Sequence, residues 1–288
     1  VQMAGIVSAQ GLMVLADPSG FVLFITSSVL VSIAFAPILL SISPTPAFET
    51  TKPMSLLEIL RISPLGCVGM FLLGGVFSAQ FGMAPVFGAE AGMSVGQISA
   101  FVSTFFIGAL VLQYPVGWMS DRMDRRVLIL ASAVIGGVGA LLGFVLSGYF
   151  VMLLVAGLMI GGVSNPLYAL LIAYTNDFLE FDDMAAASGG MVFINGLGAV
   201  TGPLVTGWVM GQIGPRGFFL FIAVLLLAMA GYAAYRMTQR AAPAVEDTDS
   251  YAPVGLGATP MAVEFAQEYA IETAQEEAAL EEESKAAL

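Results

Sequence analysis

The sequence predicts an all-α, polytopic transmembrane helical bundle. Three observations carry that prediction. Of the 288 residues, 58% are hydrophobic and only 10% are charged, whereas a soluble domain carries about 25% charged residues. A large core does not account for the shortfall, because a soluble protein still needs a wet surface. The apolar residues also fall in runs near the roughly 20 residues that a helix needs to cross a bilayer. Finally, the basic residues gather on one side of those runs.

Eight runs qualify, in order Val1–Ala16, Phe21–Ile42, Pro64–Phe87, Val95–Met119, Val127–Leu146, Phe150–Tyr174, Ala185–Gln212 and Gly217–Met237. The first is already apolar at Val1 and short, so it is expected to be clipped, with the chain truncated at its N-terminus. Short turns such as Asp17-Pro18-Ser19-Gly20 and Ser147-Gly148-Tyr149 predict that consecutive spans are antiparallel neighbours. A polar, proline-containing stretch at 44–63 separates the first two spans from the other six. Residues 241–288 are not membrane material: they hold 11 acids and one base, against 10 acids and eight bases in residues 1–240. That tail reads as a solvated, weakly helical segment, or as a dock for a basic partner.

Lys52, Arg61, Arg122, Arg125, Arg126, Arg236 and Arg240 lie near span ends on one side, and only Arg216 lies on the other. Cytoplasmic loops collect lysine and arginine, so both ends are expected in the cytoplasm. No basic patch suits nucleic acid. The chain has no histidine and a single cysteine, Cys67. No His- or Cys-based metal site can therefore be assembled from it, and no cofactor is expected.

An internal repeat organises the spans. A shift of 197 residues lays Gly5 on Gly202, Pro18 on Pro215, and Gly20-Phe21 on Gly217-Phe218. Two halves related in this way are a transporter pattern. The repeat unit is six spans. Residues 1–43 then end one half, 44–63 connect, 64–240 form a complete second half, and 241–288 are the tail. About eight of twelve spans would be present.

The loop after the fourth run reads Gly117-Trp118-Met119-Ser120-Asp121-Arg122-Met123-Asp124-Arg125-Arg126. It resembles the loop signature of the major facilitator superfamily, with Asp124 where the general pattern has glycine. The Ser-Asp-Arg-x-Asp-Arg-Arg form, with Pro166-Leu167-Tyr168 and Asn176-Asp177, resembles a bacterial subgroup. The loop falls between the second and third spans of the complete half, where the family places it. The resemblance implies that Gly117, Asp121, Arg122, Arg125 and Arg126 form a gating cluster that latches one conformation. Gly117 would allow close helix approach. Asp121 would sit at the positive end of a neighbouring helix. Arg125 or Arg126 would pair with a carboxylate, for which Asp177 is the candidate. The plainer reading is that these arginines only set topology.

Polar residues deep in the spans are few. Gln80, Gln113, Asn165, Tyr168 and Asn195 are the substrate-cavity candidates, with Phe77, Phe81 and Tyr174 as an apolar wall; each can equally serve helix packing. Gly198 and Gly202 make a small-xxx-small face, and Pro203 is expected to kink the helix. Pro85, Pro115 and Pro166 also lie in spans. No acid sits at mid-membrane, where a proton-coupled carrier keeps one.

The resemblance implies a monomeric secondary active transporter of a bacterial inner membrane, moving a small molecule by alternating access, with a proton as the candidate coupling ion. The alternative is a non-transporting scaffold or receptor, or an inert C-terminal fragment. An intramembrane enzyme lacks its ingredients: there is no histidine and no mid-membrane pair of acids.

Overall fold

A computed structural model describes residues 5, 8–11, 20–40 and 54–239. The first run and the acidic tail, and with them Lys52 and Arg240, lie wholly or mostly outside the described residues. Everything regular among the described residues is helical: α1 (Val22–Leu40), α2 (Leu56–Ile62), α3 (Pro64–Ser78), a π-helical turn (Ala79–Met83), α4 (Ala84–Glu90), α5 (Val95–Ser120), α6 (Arg125–Val145), α7 (Phe150–Asn176), α8 (Phe181–Ile213) and α9 (Gly217–Met237). Among the described residues six helical segments are long and apolar enough to cross a membrane, counting α3 through α4 as one. Phe193, Val200, Leu204 and Trp208 on α8 are all more than half exposed. An apolar face of that kind is unfavourable in water and natural in lipid.

Two elements differ from the sequence reading. Within the stretch read as a polar connector, Leu56–Ile62 forms α2. Ser55 caps it, its hydroxyl accepting from the Glu58 N–H at 3.3 Å, and Ile59 is buried. The run Pro64–Phe87 is also not one regular helix. Pro85 has no N–H to give the carbonyl of Phe81, four residues back. The ladder steps outward by one residue, and the Ala84 N–H donates to Ala79 O. The result is a π turn, an element found disproportionately at functional positions. By contrast, α5 and α7 continue through Pro115 and Pro166, as α8 does through Pro203. The start of α8 precedes the apolar run by four residues, with Asp183 in its first turn, where the helix dipole favours a carboxylate.

The tightest packing follows chain order only between α6 and α7. α3 lies along α8, α5 along α7, and α6 along both α7 and α9, whereas α5–α6 and α7–α8 barely touch. Consecutive spans alternate in direction, so the α3–α8 and α5–α7 pairs are parallel. Glycine explains the choice of partner. A Cβ on Gly198 would lie 1.9 Å from Phe71 O, one on Gly74 would lie 2.0 Å from Asn195 O, and one on Gly202 would lie 1.7 Å from Ser78 Oγ. The α5–α7 seam is built alike: a Cβ on Gly161 would lie 2.2 Å from the Phe105 backbone, and one on Gly108 the same distance from Leu158 O. With no water to drive apolar surfaces together, close backbone approach is what holds membrane helices to each other.

Overpacking a tight seam costs about 1–3 kcal/mol. Gly198→Val is therefore expected to lower the melting temperature of the detergent-solubilised protein clearly. Gly196→Val is the control. Its added Cβ meets nothing within 4 Å, and its effect should stay within about 0.5 kcal/mol.

Candidate functional site

The loop joining α5 to α6 holds a compact set of charges against the end of α7. Asp124 is the N-cap of α6, its side chain accepting from the Arg126 N–H at 2.9 Å. The next residue, Arg125, turns inward. Its guanidinium donates to Asp177 Oδ1 at the C-terminal end of α7, to Ala173 O at 3.2 Å, and through Nε to Ser120 Oγ at 3.1 Å. Both side chains of the Arg125–Asp177 pair are 2% exposed. Asp121 Oδ1 is farther from the same guanidinium, at 4.0 Å. The loop, the last turn of α5, the first turn of α6 and the end of α7 thus meet at one buried cation.

Arg126 takes a different partner. Its Nη2 donates to Asp124 Oδ2 at 2.8 Å, and its Nε lies 3.1 Å from Oδ1. Burial pushes the Asp124 carboxyl up, but the hydrogen bonds and charge of Arg126 outweigh it and hold the carboxyl below the ordinary carboxylate range. Arg122 stays at the surface. It donates to Trp118 O at 3.1 Å and stacks 4.4 Å above the Trp118 ring. Gly117 is buried in the last turn of α5, and its carbonyl accepts from the Asp121 N–H. Sequence reasoning treated Asp124 only as a departure from a pattern and passed over Ser120. An aspartate directly before a helical run is an N-cap signal, and that signal was available.

The cavity candidates separate into two groups. Asn195 donates to Met70 O at 3.0 Å and so ties α8 to α3. Gln113 is half-buried on α5 and makes no side-chain hydrogen bond among the described residues. Gln80 on the π turn reaches α7 at Ser164, and Tyr168, one turn on, meets Phe77; Asn165 is buried on α7 beside Ser164 in sequence. Gln80 is fully buried and donates through Nε2 to Ser164 Oγ at 2.8 Å. Phe77 and Phe81 stack at 5.7 Å, Phe81 and Phe106 at 5.3 Å, and Tyr168 meets Phe77 edge-on at 6.1 Å. Tyr174 lies elsewhere, against Phe178 at 5.2 Å near the charged end. No group of histidine, cysteine or acidic side chains among the described residues is arranged to hold a metal.

The family model described as Major Facilitator Superfamily matches residues 66–267. Curated relatives carry the same label. The uncharacterized MFS-type transporter YfkF of Bacillus subtilis (strain 168) is 28% identical over 161 residues, which are 54% of this chain and 40% of that protein. The uncharacterized MFS-type transporter YE1530 of Yersinia enterocolitica is 23% identical over 58% of this chain and 43% of its own length. An uncharacterized MFS-type transporter of Yersinia pestis (strain Pestoides F) is 23% identical over 67% of this chain and 50% of its own. The chain therefore spans half or less of the length of these relatives.

Asp124 offers a pH test. Its folded-state pKa lies below the ordinary value, so its contribution is present above the ordinary carboxylate range and is lost as pH falls through the depressed folded value. Asp124→Asn keeps the cap and removes the ion pair. It should cost about 1 kcal/mol at neutral pH, with the difference in melting temperature from wild type shrinking as the pH is lowered. Asp124→Ala, which loses the cap as well, should cost more.

Proposed function

The chain belongs to the major facilitator superfamily, and on that premise we propose that it is part of a secondary active transporter. In this reading it moves a small molecule across a bacterial inner membrane by alternating access between two six-span halves. Residues 64–240 would be one half, 1–43 the end of the other, and 44–63 the connection, with the 241–288 tail and both chain ends in the cytoplasm. The 197-residue repeat supports the two halves, and the basic residues at one end of the bundle support the orientation.

The observation that carries the mechanism is the buried Arg125–Asp177 pair. A buried ion pair is a poor device for stability, since desolvation offsets most of the Coulombic gain. It is a good device for specifying one arrangement. Broken in place, it leaves uncompensated charge; opened to water at the membrane edge, it loses little. The pair therefore suits a latch that is closed when the cytoplasmic ends of α5, α6 and α7 are packed together and open when those ends face water. Asp121, on the same loop and nearer the surface, would shift the balance between the two conditions. A proton is the candidate coupling ion, although the six complete spans carry no acid at mid-membrane to take it.

The test uses a compound whose accumulation in cells changes when the protein is expressed. At equal membrane abundance, Asp177→Asn should slow its transport about tenfold or more, equivalent to about 1.4 kcal/mol. Asp121→Asn should produce a smaller loss. Wild-type rates in Asp177→Asn would reduce the cluster to a topology signal.

A further inference from the structure

Among the described residues three buried side-chain polar atoms have no hydrogen-bond partner, Gln80 Oε1, Asn176 Nδ2 and Ser188 Oγ, and the first of them belongs to a residue set beside an aromatic wall. Gln80 is fully buried, and its amide orientation is determined by its neighbour. The Ser164 hydroxyl donates to Ile160 O at 2.7 Å, so at Gln80 it accepts, and the group facing it is Nε2. That leaves Gln80 Oε1 without a hydrogen-bond partner. An acceptor orphaned in an apolar span is costly and calls for an explanation. The position adds a second observation, because Gln80 is on the π turn that Pro85 imposes.

The surroundings define what would complete it. Phe77 and Phe81 lie near Gln80 in its own helical segment; on α7, Ser164 bonds Gln80 and Tyr168, one turn on, meets Phe77 edge-on. Phe77, Phe81 and Phe106 form a continuous run of stacked rings. Phe81 is 39% exposed while Phe77, Phe106 and Tyr168 are buried, so Phe81 is the accessible ring of the stack. Asn165 and Tyr168 are buried too, and neither side chain makes a hydrogen bond among the described residues. No charged side chain occurs between Pro64 and Ala89 or between Val95 and Ser120, so this wall offers no counter-charge to an ion.

We infer that Gln80, Phe77, Phe81, Phe106 and Tyr168 form the subsite for an uncharged, planar aromatic compound bearing an N–H or O–H group that donates to Gln80 Oε1. Rings in the ligand extend the aromatic stack, which is favourable at the offset and edge geometries already present. The ligand's donor satisfies the orphaned acceptor. A site built to receive such a donor discriminates against an analogue that lacks it, because the buried acceptor is then left unpaired. This inference rests on the transporter reading for its biological sense, though not for its geometry.

The experiment measures equilibrium binding to the purified chain in lipid nanodiscs by fluorescence. The probes are umbelliferone, at mildly acidic pH where its hydroxyl is protonated, and its methyl ether, which has the same rings and no donor. Wild type should prefer umbelliferone about tenfold, the equivalent of one satisfied hydrogen bond. Gln80→Met should bring the two affinities to parity without lowering the melting temperature, since it removes the unpaired acceptor. A purely structural Gln80 would instead lower the melting temperature and leave the preference intact. Phe81→Ala, at an exposed ring that folding tolerates, should weaken both probes about fivefold. Equal affinities in wild type, a preference that survives Gln80→Met, or no saturable binding of either probe would overturn the inference. Vesicle uptake separates it from the transport reading. Binding with this signature but no movement of probe defeats the carrier and leaves the subsite; movement of another compound without this binding does the reverse.

Discussion

Inside a bilayer there is no water to satisfy a polar group that the chain leaves unpaired, and the architecture follows from that constraint. Backbone groups are satisfied within helices. Side-chain hydroxyls turn back onto their own helix, as Ser103, Ser164, Thr175 and Thr206 each do to the carbonyl four residues earlier. Because lipid gives apolar side chains no reason to cluster, the helices are held by backbone proximity instead. Glycine-lined seams join α3 to α8 and α5 to α7 and set the partnership of helices distant in sequence. Charge is pushed to the ends, and there Arg125 and Arg126 are buried, Arg125 among Asp177, Ala173 O and Ser120.

The two candidate sites respond to this constraint in opposite ways. At the loop end, buried charge is fully partnered, so any motion that separates α6 from α7 must first expose Arg125 and Asp177 to water. That couples helix separation to hydration, which is the property a gate needs. At the π turn, a buried acceptor is left unpartnered beside aromatic rings, which is the property a binding site needs. Pro85 links sequence to that geometry by displacing the hydrogen-bond ladder by one residue. A regular helix over 64–90 would present a different face at Gln80.

Much of the fold was legible in the sequence because span length is a blunt physical requirement. The six complete spans were visible as apolar runs, and the family was visible in ten residues from Gly117 to Arg126. Boundaries were less legible. The start of α8 was read four residues late because its first turn contains acids, and apolarity marks the membrane rather than the helix. α2 was hidden in a segment read as polar, although Ser55 followed by Glu58 carries a capping pattern. Partner identity was the least legible feature. The carbonyl that Asn195 bonds, and the helix that Gly198 touches, depend on rotation about helix axes, which one sequence does not encode locally. Gln80 and Asn195 look alike as isolated polar residues in apolar runs. Only their neighbours distinguish a helix tie from an open acceptor.

The central claim is that the Arg125–Asp177 contact is a latch that opens, rather than a fixed strut. Ser120 is buried against Arg125 and reports on it. The direct measurement is the rate at which a membrane-impermeant maleimide, applied from the cytoplasmic side, labels Ser120→Cys in a Cys67→Ala background. Labelling should be slow with the pair intact and rise about tenfold with Asp177→Asn, the equivalent of about 1.4 kcal/mol in the opening equilibrium, while a control cysteine at Ser132 stays unreactive. An unchanged rate at Ser120→Cys in the Asp177→Asn protein would show that breaking the contact does not open this end of the bundle, and would contradict the account.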